Sequence, residues 1–284
     1  LQGSGNSLSV GLSYSEYQQS VNFNYFDPYF TLDGISRGYN VFFRRLDYDA
    51  RNIARYSTDS AGGGVTFGFP IGETQRINFG LNVEHTEIRE GFAAAQEISE
   101  FIERNGPDAL NFKANLSWIR STLNRGVFAD RGSSQSIGVT FAAPGSDLEF
   151  YRLTYQGEKY FPLTQLFTLK LRTELGYGDS YGDTPALPFY EHFFAGGFGS
   201  IRGFENSTLG PRSTPPLDEN GNPIIFSSFD NDGRYGQPFG GNLLLEFSAE
   251  LIFPLPFVED NRQFRPALFF DVGNVFNTEC PTVS

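Results

Sequence analysis

The sequence predicts an all-β protein, an antiparallel transmembrane β-barrel with one long loop folded into its lumen. Three observations predict it. Strict alternation of apolar and polar side chains recurs along most of the chain, the period of a strand with two unlike faces. Aromatic residues make up 16% of the chain, including 31 Phe and 14 Tyr. They crowd the ends of the alternating segments: Tyr25, Phe26, Tyr29 and Phe30; Tyr160 and Phe161; Phe253 and Phe257. Long connections alternate with short ones. Alternation by itself fits a soluble sandwich, apolar between its sheets, as well as a membrane barrel, apolar toward lipid. Strands of about ten residues match a tilted membrane span. Aromatic strand ends match interfacial girdles, and unequal connections match long outer loops and short periplasmic turns. These features favour the barrel.

Composition excludes other classes. The net charge of -12 argues against a general nucleic-acid binder, which needs a basic face. No segment approaches the ~18 apolar residues of a membrane-spanning helix, and mean hydropathy is -0.31. The longest apolar run, Leu251 to Val258, is interrupted by Pro254 and Pro256. Cys280 is the only cysteine, which excludes an internal disulfide and a cysteine-based metal site and leaves a partner beyond Ser284 open. Residue 1 is not Met and no signal peptide is present, so the chain reads as an internal piece of a longer precursor.

Taken in order, Ser7 to Ser15 sets Leu8, Val10, Leu12 and Tyr14 against Ser9, Gly11 and Ser13. Val21 to Tyr29 alternates likewise until Asp27-Pro28, because proline cannot donate to a ladder. Asp33-Gly34 signals a tight turn, and Ile35 to Tyr48 follows as a strand. Asn52 to Gly63 is polar and loop-like; Gly64 to Phe69 is a strand ending at Pro70. Arg76 to Ile88 alternates Ile77, Phe79, Leu81 and Val83 with Asn78, Gly80, Asn82 and Glu84, and places His85 on the apolar side near its end. Between Glu90 and Asn105, Ala94, Ile98, Phe101 and Ile102 recur at helical spacing until Gly106-Pro107, predicting a short amphipathic helix within a loop. Leu110 to Trp118, Ser134 to Phe141, Leu148 to Phe161 and Thr164 to Tyr177 return to period two. Gly241 to Phe253 and Arg262 to Phe276 complete about eleven strands.

Gly178 to Gly240 has no periodicity, and an uninterrupted loop of that length is functional or disordered. Within it, Phe189 to Phe204 reads FYEHFFAGGFGSIRGF and ends on Ile201, Arg202, Gly203 and Phe204. Arg202 sits between an aliphatic residue and a Gly-Phe pair, which can carry one charge into a confined space. Gly203 permits close approach or a positive φ, and Phe204 can anchor the tip by packing. A confined guanidinium needs carboxylates, because an unpaired buried charge is costly. The competing reading is a surface loop with a solvated arginine.

These stretches resemble the Omp85 superfamily. The resemblance rests on Asp27-Pro28-Tyr29-Phe30-Thr31 with Asp33 to Gly38, Pro188 to Glu191, Ala195-Gly196-Gly197 and Ile201 to Phe204. It continues through Gly240-Gly241-Asn242, Glu250-Leu251-Ile252, Pro254 to Phe257 and Phe270 to Val275. The ordered set spans nearly the whole chain and is similar to the branch that assembles β-barrels in the outer membrane of Gram-negative bacteria. The resemblance implies that residues 1–284 are part of a C-terminal transmembrane barrel domain. The family barrel has about sixteen strands, of which this piece holds the third to the thirteenth, with the periplasmic POTRA domains absent from this chain. It makes 178–240 the sixth extracellular loop. It also implies that Arg202 pairs with acids on the inner wall, here Glu250 and Asp271, which alternation already turns inward.

The function that the resemblance implies is insertion and folding of other β-barrels. Its partners would be unfolded outer-membrane β-barrel clients, accessory lipoproteins of the assembly machinery bound mainly through the POTRA domains, and outer-membrane lipids. An Omp85-type secretion pore for a passenger protein and a passive porin-like channel are the alternatives. No enzyme, cofactor or metal site is expected. His192 beside Glu191 reads as polar residues at a loop base. Ser200 has no His-Asp partners, and Gly196 to Gly199 lacks the lysine of a phosphate loop. The acids Asp218, Glu219, Asp230 and Asp232 read as a solvated stretch rather than a Ca²⁺ site.

Overall fold

The computed structural model describes residues 5–51, 54–218, 220–224, 236–254 and 265–278. Within them the chain forms eleven strands in a single sheet. These are β1 (Ser7–Tyr14), β2 (Gln18–Asp27), β3 (Ser36–Asp47), β4 (Tyr56–Gly72), β5 (Gln75–Glu90) and β6 (Asp108–Ser121), then β7 (Gly132–Ala142), β8 (Phe150–Pro162), β9 (Thr168–Ser180), β10 (Leu243–Ile252) and β11 (Ala267–Phe276). Each strand pairs antiparallel with the next, so spatial order equals sequence order and β1 and β11 lie at the two edges. One helix, α1 (Gln96–Asn105), stands in the connection between β5 and β6.

Alternation sorts the faces as the sequence predicts. Val10, Leu12, Val41, Leu81, Leu116, Leu153, Phe247 and Val272 lie exposed on one face, the lipid-facing side. The other face carries Asn22, Asn40, Glu84, Lys113, Arg172 and Glu246 at the intervening positions. The connections at one end include a two-residue turn after β4 and a five-residue turn after β8; those at the other include α1 and residues 181–242. The short-turn end is periplasmic and the long-loop end extracellular.

The buried residues do not lie between two layers. They lie between the wall and the long loop. Tyr48, Tyr56, Ile88, Ala95 and Ile98 pack with Phe189 of the loop. Ala109, Ala142, Leu148 and Phe150 pack with Leu187, and Leu244 and Val275 pack with Phe193 and Ala195. The sheet therefore curls around the segment that begins near Leu187.

Several boundaries differ from the sequence expectation. Residues 56–63, expected to be loop, are the first half of β4. Ser57, Ser60, Ala61, Gly62 and Gly63 hide the alternation because they are small, and smallness is required there. A Cβ on Gly62 would lie 2.6 Å from the Val83 carbonyl oxygen and 2.9 Å from the Phe42 ring. Residues 164–167, expected in a strand, are a turn in which Thr164 Oγ1 accepts from the N–H groups of Leu166 and Phe167. Gly178 lies within β9 rather than in the loop, and α1 starts at Gln96 rather than near Glu90. Of the last expected strand, 262–264 lie outside the described residues, as do Phe257 and Cys280.

Candidate functional site

The turn that presents Arg202 is built by local hydrogen bonds. Gly196 and Gly197 both take positive φ, 106° and 104°, which a side chain would strain. The Gly197 N–H donates to the Ile201 carbonyl at 3.2 Å, and the Gly196 N–H donates to Ser200 Oγ at 2.9 Å. Ser200 in turn donates to Glu246 on β10. From β9, Arg172 donates to the Gly199 carbonyl at 2.6 Å. The wall also supplies sockets. A Cβ on Gly273 would come within 3.1 Å of Ile201 Cδ1, and one on Gly176 within 2.6 Å of the Phe193 ring. Glycine on the inward face leaves the space that these loop side chains occupy.

Arg202 then meets the carboxylates. Its Nε and Nη2 each donate to Asp271 at 2.7 Å, a two-pronged pairing. Its backbone N–H donates to the same carboxylate at 3.1 Å. Nη1 lies 2.7 Å from Glu250 Oε1, and Nη2 donates to Ser248 Oγ at 3.0 Å. Ser248 donates onward to Asp271 at 2.7 Å. The guanidinium carbon lies 3.8 Å from the centre of the Phe269 ring. Strand register explains the convergence: Ser248 is directly opposite Asp271, and Glu250 opposite Phe269. Ile201, Arg202, Glu250 and Asp271 are thus brought together. Gly203 has φ 93°, while Phe204 is 54% exposed. Phe204 is therefore not the packing anchor expected of it. Ile201, 3% exposed, is the buried residue of the motif.

A second contact lies nearer the loop base. Glu191 ends a short 3₁₀ turn, Phe189–Glu191. One of its oxygens is 2.9 Å from Lys113 Nζ on β6, and the other 2.9 Å from Arg152 Nη1 on β8. Lys113 also pairs with Glu84 on β5 at 3.0 Å. Burial pushes the Glu191 carboxyl up, but Lys113 and then Arg152 outweigh it and hold it below the ordinary range. Beside it, burial lowers the His192 imidazole to about 4, although the Phe239 carbonyl hydrogen-bonds its Nδ1 at 3.0 Å. Sequence reasoning treated this pair as plain polar residues. The available signal was Lys113 on the inward side of its strand, a cation in need of a partner.

Further out, α1 holds the distal loop. Glu97 accepts from the Thr214 N–H and hydroxyl at 2.8 and 2.6 Å, and Gln96 Nε2 donates to the Pro215 carbonyl at 2.7 Å. Asp218 accepts from the N–H groups of Asn220 and Asn222 within its own turn. Glu219, Asp230 and Asp232 lie outside the described residues.

The Omp85 superfamily domain is matched over residues 1–284. The chain belongs to the Omp85 superfamily. It is 34% identical over 287 residues to the outer membrane protein assembly factor BamA of Neisseria meningitidis serogroup B, covering 98% of this chain and 34% of that protein. A SAM50-like protein of Schizosaccharomyces pombe is 25% identical over 195 residues, covering 68% of this chain and 34% of that one. Among solved structures, BamA from Haemophilus ducreyi lacking POTRA domains 1–3 superposes with a TM-score of 0.87 at 30% identity, over 97% of this chain and 53% of that one. The chain spans about a third of the length of those two curated relatives. As an Omp85 barrel segment it resides in the outer membrane, and its eleven antiparallel strands are membrane-spanning.

Proposed function

We propose that the protein containing this barrel folds and inserts other β-barrel proteins into the outer membrane. The observation that carries this reading is the 34% identity, over 98% of the chain, to a protein named as an assembly factor. Residues 1–284 are then the larger part of a C-terminal barrel domain, with POTRA domains preceding it in the parent protein. Its partners are unfolded β-barrel clients and accessory lipoproteins that bind mainly through those domains.

The activity needs no covalent chemistry. A strand edge in lipid leaves N–H and C=O groups that the bilayer cannot satisfy. A barrel that exposes such an edge pairs with an incoming strand and supplies those bonds. On this reading Ile201, Arg202 and Gly203 keep the loop registered against the wall while the client threads, with Glu250 and Asp271 as the fixed acids. Buried ion pairs return little net stability, and fixing one geometry is their best-attested use.

The test uses the parent chain in liposomes with its natural partners. Folding of an unrelated unfolded barrel is followed by protease protection, comparing wild type with Arg202→Ala. Acceleration that weakens in the variant is the expected result. Acceleration unchanged by the substitution removes the role given to Arg202. No acceleration, with steady ion conductance instead, replaces the insertase by a channel or a secretion pore.

A further inference from the structure

We infer that the periplasmic end of β6–β8 carries, on its lipid-facing side, a binding patch for the phosphate groups of anionic phospholipids. The inference rests on the outer-membrane placement and not on the assembly activity.

The patch begins with register. Arg120 on β6 stands opposite Gln75 of β5 and Gln135 of β7. Lys159 on β8 stands opposite Ser133 of β7 and Leu171 of β9. Both follow the outward parity of Leu116 and Trp118 on β6 and of Leu153 on β8. Strand spacing and rise separate their backbones by roughly 12 Å, within the reach of two long side chains toward neighbouring headgroups. Arg125 and Arg131 are exposed in the turn 122–131 at the same end. Arg120 and Lys159 are also exposed.

The charges around them make the patch unlike the rest of the outward face. Other outward cations are neutralised by carboxylates on neighbouring strands. Arg37 lies 3.9 Å from Asp27, and Arg45 and Arg89 lie 2.5 and 3.0 Å from Asp59. Among the described residues, Arg120, Arg125, Arg131 and Lys159 have no such ion pair. Asp130 is the carboxylate of their turn, and it accepts from Asn124 Nδ2 at 2.8 Å. Glu158 points to the lumen, where it lies 3.8 Å from Lys170.

The apolar neighbours set the depth. Trp118 and Phe161 sit at the lower edge of the apolar band, where aromatic rings mark the headgroup level. Trp118 Nε1 donates to Gln75 at 3.2 Å, and Lys159 Nζ lies 4.6 Å from the centre of the Phe161 ring. An ammonium on a stem along an aromatic ring reaches the interface by snorkelling. The guanidinium of Arg120, one register step below Trp118, presents the fork that suits a phosphate. In a chain of net charge -12 such a run of unpaired cations opposes the overall charge. An anionic headgroup complements it.

Trp118, the one tryptophan of this chain, reports directly on the patch. The parent chain is reconstituted in phosphatidylcholine vesicles containing a minor fraction of phosphatidylglycerol brominated near the head of its acyl chain. The Trp118 signal is isolated by subtracting a Trp118→Phe variant. The expected result is quenching several-fold greater than from the same fraction of brominated phosphatidylcholine, erased by high salt in the wild type. The triple variant Arg120→Gln, Arg131→Gln, Lys159→Gln is expected to bring the two lipids to equality. Equal quenching by both lipids in the wild type overturns the proposal and leaves the patch in apolar contact with lipid only. A preference that survives salt overturns it as well. The salt series needs no variant, so the outcome stands even where the triple variant does not fold.

Discussion

At Arg202 the loop brings one cation to two carboxylates; at Glu191 it brings one carboxylate to two cations. The two contacts differ in more than sign. Asp271 and Glu250 sit on adjacent strands, β11 and β10, so strand register alone sets their spacing. Lys113 and Arg152 sit on β6 and β8, with β7 between them, and Glu84 on β5 is needed to balance Lys113. The first contact is a compact fork against one stretch of wall. The second ties three strands to the loop base. One loop is thus held by local register at its tip and by a distributed charge network at its base. The two should then fail under different perturbations.

The largest effect is expected at the tip. Asp271 takes both prongs of the guanidinium and the Arg202 N–H, and its side chain is 2% exposed. Asp271→Ala leaves Glu250 as the one carboxylate facing Arg202 and should cost about 4 kcal/mol in urea unfolding of the parent chain in lipid, the range for stripping one partner from a buried pair. Arg202→Glu with Asp271→Arg should recover part of it. No recovery relative to either single change would count against direct pairing. A smaller effect is expected at the base. Glu191→Gln leaves Lys113 its pairing with Glu84 and leaves Arg152 partly exposed, so a loss of about 3 kcal/mol is expected, at the low end of that range. Limited proteolysis separates the two sites. Asp271→Ala should open cleavage near Phe198 first, and Glu191→Gln cleavage near Asp183. Identical cleavage patterns would mean that the loop is held as one unit.

The tip was legible in the sequence and the base was not, for a physical reason. A strand has period two, so alternation along β10 and β11 turned Glu250 and Asp271 inward without any structure, while their pairing with Arg202 was implied by the resemblance to the superfamily. The loop has no period, and nothing in FYEH marks Glu191 as the residue that reaches the wall. Its partners come from three strands far apart in sequence, and their coincidence depends on how the sheet curls. The first half of β4 was hidden by another cause. Gly62 and its small neighbours carry no apolar side chain to alternate, because the space belongs to Phe42. Phe204 misled because aromatic character was taken for burial, whereas the wall socket at Gly273 fits Ile201.

The smallest expected effect is an acid sensitivity at the loop base. His192 adjoins Glu191, is half-buried against Phe239, and has its imidazole pushed down to about 4. The unfolded chain binds a proton near pH 6.5, and the folded chain does not until near pH 4. The unfolded state therefore holds more protons in that window, and stability falls as pH drops through it. Between pH 7 and pH 5 the loss should be about 2 kcal/mol, because a tenfold change in proton affinity is worth about 1.4 kcal/mol. Glu191 does not add to it, because its depressed carboxyl gives up its contribution only below the ordinary carboxylate range. His192→Asn, which keeps a group able to donate to the Phe239 carbonyl, should flatten the profile between pH 7 and pH 5 and leave the Asp271→Ala loss at neutral pH unchanged. A slope that persists in His192→Asn would assign the acid sensitivity to another group and dissolve the distinction between tip and base.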